Sequence, residues 1–118
     1  MKNISNSVQL IGNLGKTPEI KNFEGGKKVA RVSLATTDTY TSQKGERVRE
    51  TQWHNLVAWG KCAELMERYL KKGSEVAIQG KLISRWYDDK EGKKRQITEI
   101  RVNELRLLGS KHETDERS

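Results

Sequence analysis

Residues Thr51-Gln52-Trp53-His54-Asn55-Leu56-Val57-Ala58-Trp59 have the residue pattern of a β-strand and lead directly into an amphipathic segment that ends at Leu70. Trp53 and Trp59 lie six residues apart. Because side chains alternate along a strand, both rings share one face of a strand from about Glu50 to Trp59. After Trp59 the apolar residues recur at helical spacing, at Cys62, Leu65, Met66, Tyr69 and Leu70. The segment therefore predicts a strand followed at once by a short helix.

Four further segments have strand character. Between Val29 and Thr36, Ala30, Val32 and Leu34 alternate with polar residues, which predicts a strand with one buried and one wet face. The sequence predicts the other strands over residues 7–14, 75–87 and 95–108, with turns at glycines 25–26 and over 88–94. Residues 37–49 are polar and lack helical periodicity, so we expect a long flexible hairpin loop there.

The order of elements is three strands, one helix and two strands. This order is typical of an all-β fold with one short helix, namely a five-stranded Greek-key barrel of the oligonucleotide-binding (OB) type with its helix between strands 3 and 4. With 118 residues, 33% hydrophobic and 33% charged, the chain has material for one economical core. We expect one OB-fold domain over residues 1–108 and a short polar tail over 109–118 that is disordered.

The formal net charge of +7 favours a polyanionic partner, with nucleic acid first and an acidic membrane second. The excess belongs to residues 1–108, because the last ten residues hold two basic and three acidic side chains. No apolar run is long enough to span a membrane, and residues 1–5 do not open a signal peptide. The lone Cys62 has no partner for an internal disulfide, which suits a reducing compartment. We therefore expect a cytoplasmic protein with no membrane partner.

The aromatic residues allow two interpretations. From their own strand alone, Trp53 and Trp59 are as compatible with a core as with a platform on which bases stack. Arg85 and Tyr87 shift the balance toward stacking, because they share the strand face opposite Val76, Ile78 and Leu82. Tyr40 has no apolar neighbours in sequence that would bury it. Trp86 lies beside Tyr87 on the other face, where packing at the barrel mouth or an oligomer contact is favoured.

Basic residues surround these rings in the sequence. A single lysine is more often a solvated surface group than a phosphate ligand, but the net excess must project a positive field somewhere. The candidates are Arg31, Arg47, Arg49, Lys61, Lys71, Lys72, Lys81, Arg85 and the run Lys93 to Arg95.

No constellation of residues indicates catalysis. His54 and His112 have no cysteine partners at zinc spacing, and Cys62 falls on the apolar stripe of the predicted helix. Asp88 and Asp89 fit a solvated turn better than a magnesium site. We expect no catalytic residue, no metal and no cofactor, and therefore no enzyme.

The motifs, taken together, resemble the bacterial single-stranded DNA-binding protein family. The resemblance covers residues from about Asn3 to Leu108, in order and at similar spacing. It is carried by Val8-Gln-Leu-Ile-Gly-Asn-Leu-Gly15, Leu34-Ala-Thr-Thr37, Thr51-Gln-Trp-His54, Gly60-Lys61 and Tyr69-Leu-Lys-Lys-Gly-Ser74.

The resemblance implies a homotetramer that coats single-stranded DNA in replication, recombination and repair, in association with the nucleoid. It implies that Tyr40, Trp53, Trp59 and Tyr87 stack on bases, although phenylalanine or tryptophan is commoner at three of these positions. It implies basic contacts near the DNA path at Lys61, Lys72 and Arg85, and a subunit contact at His54.

One feature of the family is absent from this sequence. The segment Lys111-His-Glu-Thr-Asp-Glu-Arg-Ser118 has three acidic residues but neither the linker nor the acidic tip that recruits replication and repair proteins. Recruitment by that route is therefore not expected. Two alternatives stay open: a primosome-type OB-fold accessory protein of replication restart, and a structural domain whose rings lie in the core.

Overall fold

A computed structural model describes residues 4–109 of the chain. Within them, five long or medium strands form a barrel, a sixth short strand extends it, and one helix covers it. The elements are β1 (Val8–Leu14), β2 (Glu19–Phe23), β3 (Lys27–Thr41), β4 (Arg47–Trp59), α1 (Gly60–Tyr69), β5 (Glu75–Asp88) and β6 (Lys94–Leu107). Short 3-10 turns at Ile4–Asn6 and Glu24–Gly26 complete the secondary structure. The predicted tail lies mostly outside the described residues.

The sheet closes on itself through β1. The strands are hydrogen-bonded in the order β1-β5-β6-β4-β3, and β1 returns to β3 at Asn13 and Ala35. All neighbours are antiparallel except β4 and β6, which run parallel where Leu56 pairs with Ile100. The result is a closed five-stranded barrel with α1 between the third and fourth barrel strands, so the predicted OB fold is confirmed.

The barrel interior is filled by medium-sized aliphatic side chains. Ala30, Val32 and Leu34 of β3 point inward, as the alternation predicts, and each is at most 4% exposed. They pack with residues of every other barrel strand and of the helix, including Leu14, Leu56, Met66, Val76, Ile78, Ile100 and Val102.

The helix covers the core with part of the predicted apolar stripe, because Cys62, Met66 and Leu70 pack in or against the core. Ala63, Met66 and Leu70 are buried, whereas Leu65 and Tyr69 are exposed by more than a third of their surface. Leu65 and Tyr69, which belong to the predicted stripe, therefore do not line the core. Ala63 is fully buried as well, and its small side chain allows the helix to lie close to the barrel.

The structure adds one strand to the predicted set and replaces the predicted loop by paired strands. Glu19–Phe23 forms β2, which pairs with Lys27–Arg31 of β3. The same edge of β3 pairs with β1 at Leu34 and Ala35. Residues 37–49 are not a flexible loop, because β3 and β4 remain paired out to Thr41 and Arg47. Only residues 42–46 form the turn. The β3–β4 hairpin thus projects beyond the barrel as an arm.

Gly12 allows β1 to cross close to β3. A Cβ atom at this position would collide with the backbone carbonyl of Ala35, so no larger residue fits without moving a strand. This approach helps β1 to pair with both β5 and β3 and so closes the barrel.

Candidate nucleic-acid interface

The register of the strands places most of the candidate residues on one outer surface. Residues that pair directly across a ladder point to the same side. Trp53 is opposite Ala35, Arg31 is opposite Val57, and Val57 is beside Arg101 of β6. On the other hairpin, Arg85 is opposite Ile97 and Tyr87 is opposite Arg95. We call the surface that carries Arg31, Trp53, Trp59, Arg85 and Tyr87 the aromatic face.

The rings of the aromatic face are open to solvent. Trp53 is 61% exposed, and Trp59 and Tyr87 are each 42% exposed. Since Leu56 and Ala58 fill the interior from the same strand, the interpretation of Trp53 and Trp59 as core residues is excluded. Exposed flat rings on a basic surface are suited to stacking on unpaired bases.

Arginines lie against two of these rings. The guanidinium carbon of Arg101 is 5.8 Å from the ring centre of Trp59, and that of Arg85 is 5.9 Å from the ring centre of Tyr87. Both distances are within the range of a cation–π interaction, which holds ring and cation together without hiding the other side of the ring.

The turn after β1 supports the ring of Trp53. Gly15 donates its backbone N–H to the carbonyl of Ser33 over 2.9 Å, and a Cβ atom at Gly15 would lie 2.5 Å from the Trp53 ring. The indole therefore lies directly on the glycine backbone. Gly15 thus positions a candidate binding residue.

A buried carboxylate lies at the centre of the aromatic face. Glu99 of β6 is 3% exposed and accepts hydrogen bonds from Arg85, with Nε to Oε1 at 3.1 Å and Nη2 to Oε2 at 3.3 Å. Arg31 donates its Nε–H to Oε2 over 3.4 Å. A polar cavity of about 220 Å³ adjoins this cluster. Its lining includes Lys16, Ser33 and Asn55.

Two predicted lysines flank the aromatic face instead of lying on its strands. Lys61 is exposed in the first turn of α1, two residues after Trp59. Lys72 is exposed between α1 and β5, where its backbone N–H donates to Thr17 Oγ1 over 3.1 Å. Thr17 belongs to the same β1–β2 connection as Gly15, so Lys72 adjoins the loop beneath Trp53.

Tyr40 is not brought together with the other rings. It pairs with Val48 near the tip of the β3–β4 arm, five residues from Ala35, and an odd separation in an unbroken ladder puts it on the opposite face. It is 48% exposed. Trp86 precedes Tyr87 in β5, so its side chain points to the other face of the strand. It is 64% exposed, so within this chain it does not pack at the barrel mouth.

Three residues of the aromatic face were missed or undervalued in the sequence. Glu99, Arg101 and Arg95 alternate along β6 and so share the aromatic face. Their spacing of two and four residues predicts a shared face, but β6 has no aromatic residue that would indicate a stacking surface. His54, for which the resemblance implies a subunit contact, lies on the other face, and its Nε2 is hydrogen-bonded to Thr36 Oγ1 at 2.9 Å.

The groups considered for catalysis have structural surroundings. Burial, together with the nearby Glu104 carboxylate, raises the pKa of the Cys62 thiol, which makes it a weaker nucleophile. Asp89 pairs with Arg95 and also accepts N–H groups of its own turn, and these contacts lower its pKa. In residues 4–109, no three His, Cys, Asp or Glu side chains come together as a metal site would require. No helix in that range has the length and apolar character of a membrane span.

The fold and the site define a small OB-type barrel with an exposed, arginine-lined aromatic face. The family model for the single-strand binding protein family matches residues 5–108, and the chain belongs to that family. It is 43% identical over 111 residues to the single-stranded DNA-binding protein 1 of Xylella fastidiosa, covering 93% of this chain and 82% of the relative. It is 41% identical over 108 residues to the single-stranded DNA-binding protein of Neisseria meningitidis, but spans 62% of that relative's length.

Solved structures give the same result. The chain matches the Plasmodium falciparum SSB in complex with ssDNA with a TM-score of 0.80 and 35% identity, over 92% of this chain and 98% of the other. It matches a deletion mutant of the single-stranded DNA-binding protein from Thermus aquaticus with a TM-score of 0.76 and 27% identity. That match covers 89% of this chain and 51% of the other.

Proposed function

We propose that this protein binds single-stranded DNA without sequence preference and coats it during replication, recombination and repair. The observation that carries the proposal is the aromatic face, where three exposed rings lie among arginines in a chain of the single-strand binding protein family. A related protein of the same fold has been solved in complex with ssDNA.

The chemistry of the face suits bases of any identity. Every base has a stackable face, and stacking on an aromatic side chain contributes about 1–3 kcal/mol per base. Trp53, Trp59 and Tyr87 supply the rings. The fold presents no recognition helix for a major groove, since the buried side of α1 faces the core. Binding is therefore strong in sum and indifferent to sequence.

The basic residues contact the bound strand. We assign Lys61 and Lys72 to phosphate contacts at the edges of the aromatic face, and Arg31 and Arg85 to contacts with the strand within that face. Tyr40 is assigned to a stacking contact made from the other side of the β3–β4 arm. A strand that meets all of these groups must pass around the arm instead of only across the barrel.

We further propose a homotetramer as the functional assembly. Support comes from the family resemblance and from Ile11, which is 62% exposed beside a groove of about 490 Å³ lined in part by Leu10, Ala77 and Ile78. Light scattering at micromolar concentration measures the mass directly. A monomer there would remove this part of the proposal.

The protein acts as a binding protein and not as an enzyme, in the cytoplasm at the nucleoid, where its DNA ligand is found. The primosome-type accessory protein is disfavoured, because the relatives reported above carry the name of single-stranded DNA-binding proteins.

The test is a titration of intrinsic tryptophan fluorescence with an unstructured oligothymidine at several salt concentrations. We expect strong quenching, a site size of tens of nucleotides per oligomer, and an affinity that falls steeply with salt as counterions are released. Absence of quenching and of binding would reject the function. A dimer with a short site would instead support the accessory protein.

A further inference from the structure

We propose that Glu99 makes Arg31 and Arg85 part of the base-contacting surface, so that these two guanidinium groups contact bases and do not neutralise phosphates. Glu99 thereby acts as a positioning residue. This inference rests on the proposed function and refines the roles of two of its residues.

The first observation is the burial of the carboxylate. Glu99 is the one charged side chain among residues 4–109 that is buried, and both of its oxygens are occupied by arginine N–H groups. Arg31 and Arg85 keep 38% and 42% of their side-chain surface exposed. The carboxylate thus lies beneath the surface, and the two guanidinium groups lie between it and the solvent.

The second observation concerns charge. A buried carboxylate that loses a partner is costly, because no solvent replaces the lost interaction. If Arg85 turned outward to a phosphate, Glu99 would keep only the single 3.4 Å contact with Arg31. The arginines therefore stay on Glu99 when a strand binds. The carboxylate balances one of the two guanidinium charges, so the cluster offers half the positive charge that two unpaired arginines would offer to phosphates.

The third observation is the orientation of the guanidinium plane. Arg85 forms a two-point contact with Glu99 and lies over the ring of Tyr87 at 5.9 Å from its centre. A guanidinium held at its edge by a carboxylate keeps its flat face for stacking, and both aromatic rings and guanidinium planes stack on bases. Arg85 and Tyr87 then form one continuous contact surface.

The salt dependence of binding distinguishes a phosphate contact from a base contact. Each phosphate neutralised on a single strand contributes about 0.7 to the slope of log affinity against log salt concentration. The experiment measures this slope by anisotropy of a labelled oligothymidine for four proteins: wild type, Arg85→Gln, Glu99→Gln and the double variant. Thermal unfolding of each establishes that it is folded.

We expect Arg85→Gln to weaken binding about tenfold, as loss of one stacking partner does, with the slope unchanged. Glu99→Gln frees the arginines to reach phosphates and raises the slope by about 0.7 for each one that does. In the Glu99→Gln background, Arg85→Gln then lowers the slope by about 0.7. Arg85→Gln is thus expected to leave the slope unchanged in the wild-type background and to lower it in the Glu99→Gln background. A purely structural role of Glu99 would not produce this difference.

The inference is overturned if Arg85→Gln in the wild-type background lowers the slope by a full phosphate contact, or if Glu99→Gln leaves the slope unchanged. Should Glu99→Gln not fold, Arg85→Lys decides the matter, because lysine keeps the charge but has no planar face. We expect weaker binding at an unreduced slope, and affinity equal to wild type would overturn the inference. Failure of the wild-type protein to bind oligothymidine would instead reject the proposed function itself.

Discussion

Strand β4 turns Leu56 and Ala58 into the barrel and Trp53 and Trp59 outward. Leu56 and Ala58 are at most 1% exposed, whereas Trp53 and Trp59 are 61% and 42% exposed. A buried tryptophan would remove more apolar area from water than either inward residue. The two rings therefore contribute little to the stability of the barrel, and their exposure is what a stacking surface needs.

This division separates stability from binding along a single strand. Substitutions on the inner face should unfold the protein, and substitutions on the aromatic face should weaken binding to DNA while the fold is retained. The division would be wrong if an aromatic-face substitution unfolded the protein, or if an inner-face substitution weakened DNA binding by the folded protein.

The largest expected effect is that of Leu56→Ala in the barrel interior. Truncating a buried leucine leaves a cavity and lowers the free energy of unfolding by about 2–5 kcal/mol. Urea denaturation measures this loss. The folded fraction should bind oligothymidine with nearly wild-type affinity, and a stable variant that had lost binding would show that Leu56 belongs to the site.

The next effect is that of Trp53→Ala on the aromatic face. We expect binding to every single-stranded sequence to weaken by about 1–3 kcal/mol, because one stacking partner is lost. The free energy of unfolding should change by less than about 1 kcal/mol. Anisotropy of a labelled oligonucleotide is the suitable measurement, since it does not depend on tryptophan emission.

Trp86→Ala is the matched control for Trp53→Ala. It removes a ring of the same kind with similar exposure, but from the opposite face of the β5–β6 hairpin. We expect a smaller loss of affinity than for Trp53→Ala. An equal or larger loss would mean that the DNA path also follows the other face, where Tyr40 lies.

A smaller effect is expected for Gly15→Ala, which tests how the Trp53 ring is supported. The added methyl group would come within 2.5 Å of the ring and displace it, and an off-rotamer side chain costs about 0.5–1.5 kcal/mol. Gly15 does not have a positive φ, so alanine is compatible with the backbone. Binding should weaken by part of the Trp53→Ala effect.

The double variant Gly15→Ala, Trp53→Ala sharpens this test. Because Gly15→Ala acts through the ring, it should add almost nothing once the ring is gone. Additive losses of binding energy in the double variant would show instead that Gly15 contacts the DNA by itself.

The smallest effect is that of Asp89→Asn in the β5–β6 turn. Hydrogen bonding to Arg95, above all, lowers the pKa of Asp89 in the folded protein. Its carboxylate therefore stabilises the fold at pH values above the ordinary aspartate pKa of about 4, and this contribution is lost as the pH falls through the lowered value.

The check on Asp89→Asn is the difference in melting temperature from wild type as a function of pH. We expect a small difference at neutral pH that shrinks below pH about 4. A difference that did not depend on pH would assign the role of Asp89 to the shape of the turn and not to its charge.

Much of the fold could be predicted from periodicity, and the exceptions have physical causes. The barrel strands have alternating buried residues, so β1, β5 and β6 were anticipated to within a residue or so. In β2 only Ile20 packs against the core, so no alternation marks it. In the outer half of the β3–β4 arm neither face is buried, and pairing with the partner strand alone defines the structure.

The sequence by itself determined which side chains share a face, because alternation along a strand depends only on residue spacing. It put Trp53 with Trp59, and Arg85 with Tyr87. For β4 it did not determine which of the two faces points outward, since either set of side chains could have filled a core. The tertiary structure decided this, because the closed barrel has an interior volume that Leu34, Leu56 and Ile100 already fill.

Only the tertiary structure brought the two pairs onto one surface. The parallel contact of β4 with β6 sets Val57 beside Arg101, and so places Glu99 where arginines from β3 and β5 both reach it. Arg31 of β3 is 68 positions from Glu99 along the chain, and Arg85 of β5 is 14 positions from it. Barrel closure determines such contacts, because local spacing carries no information about which distant strands become neighbours.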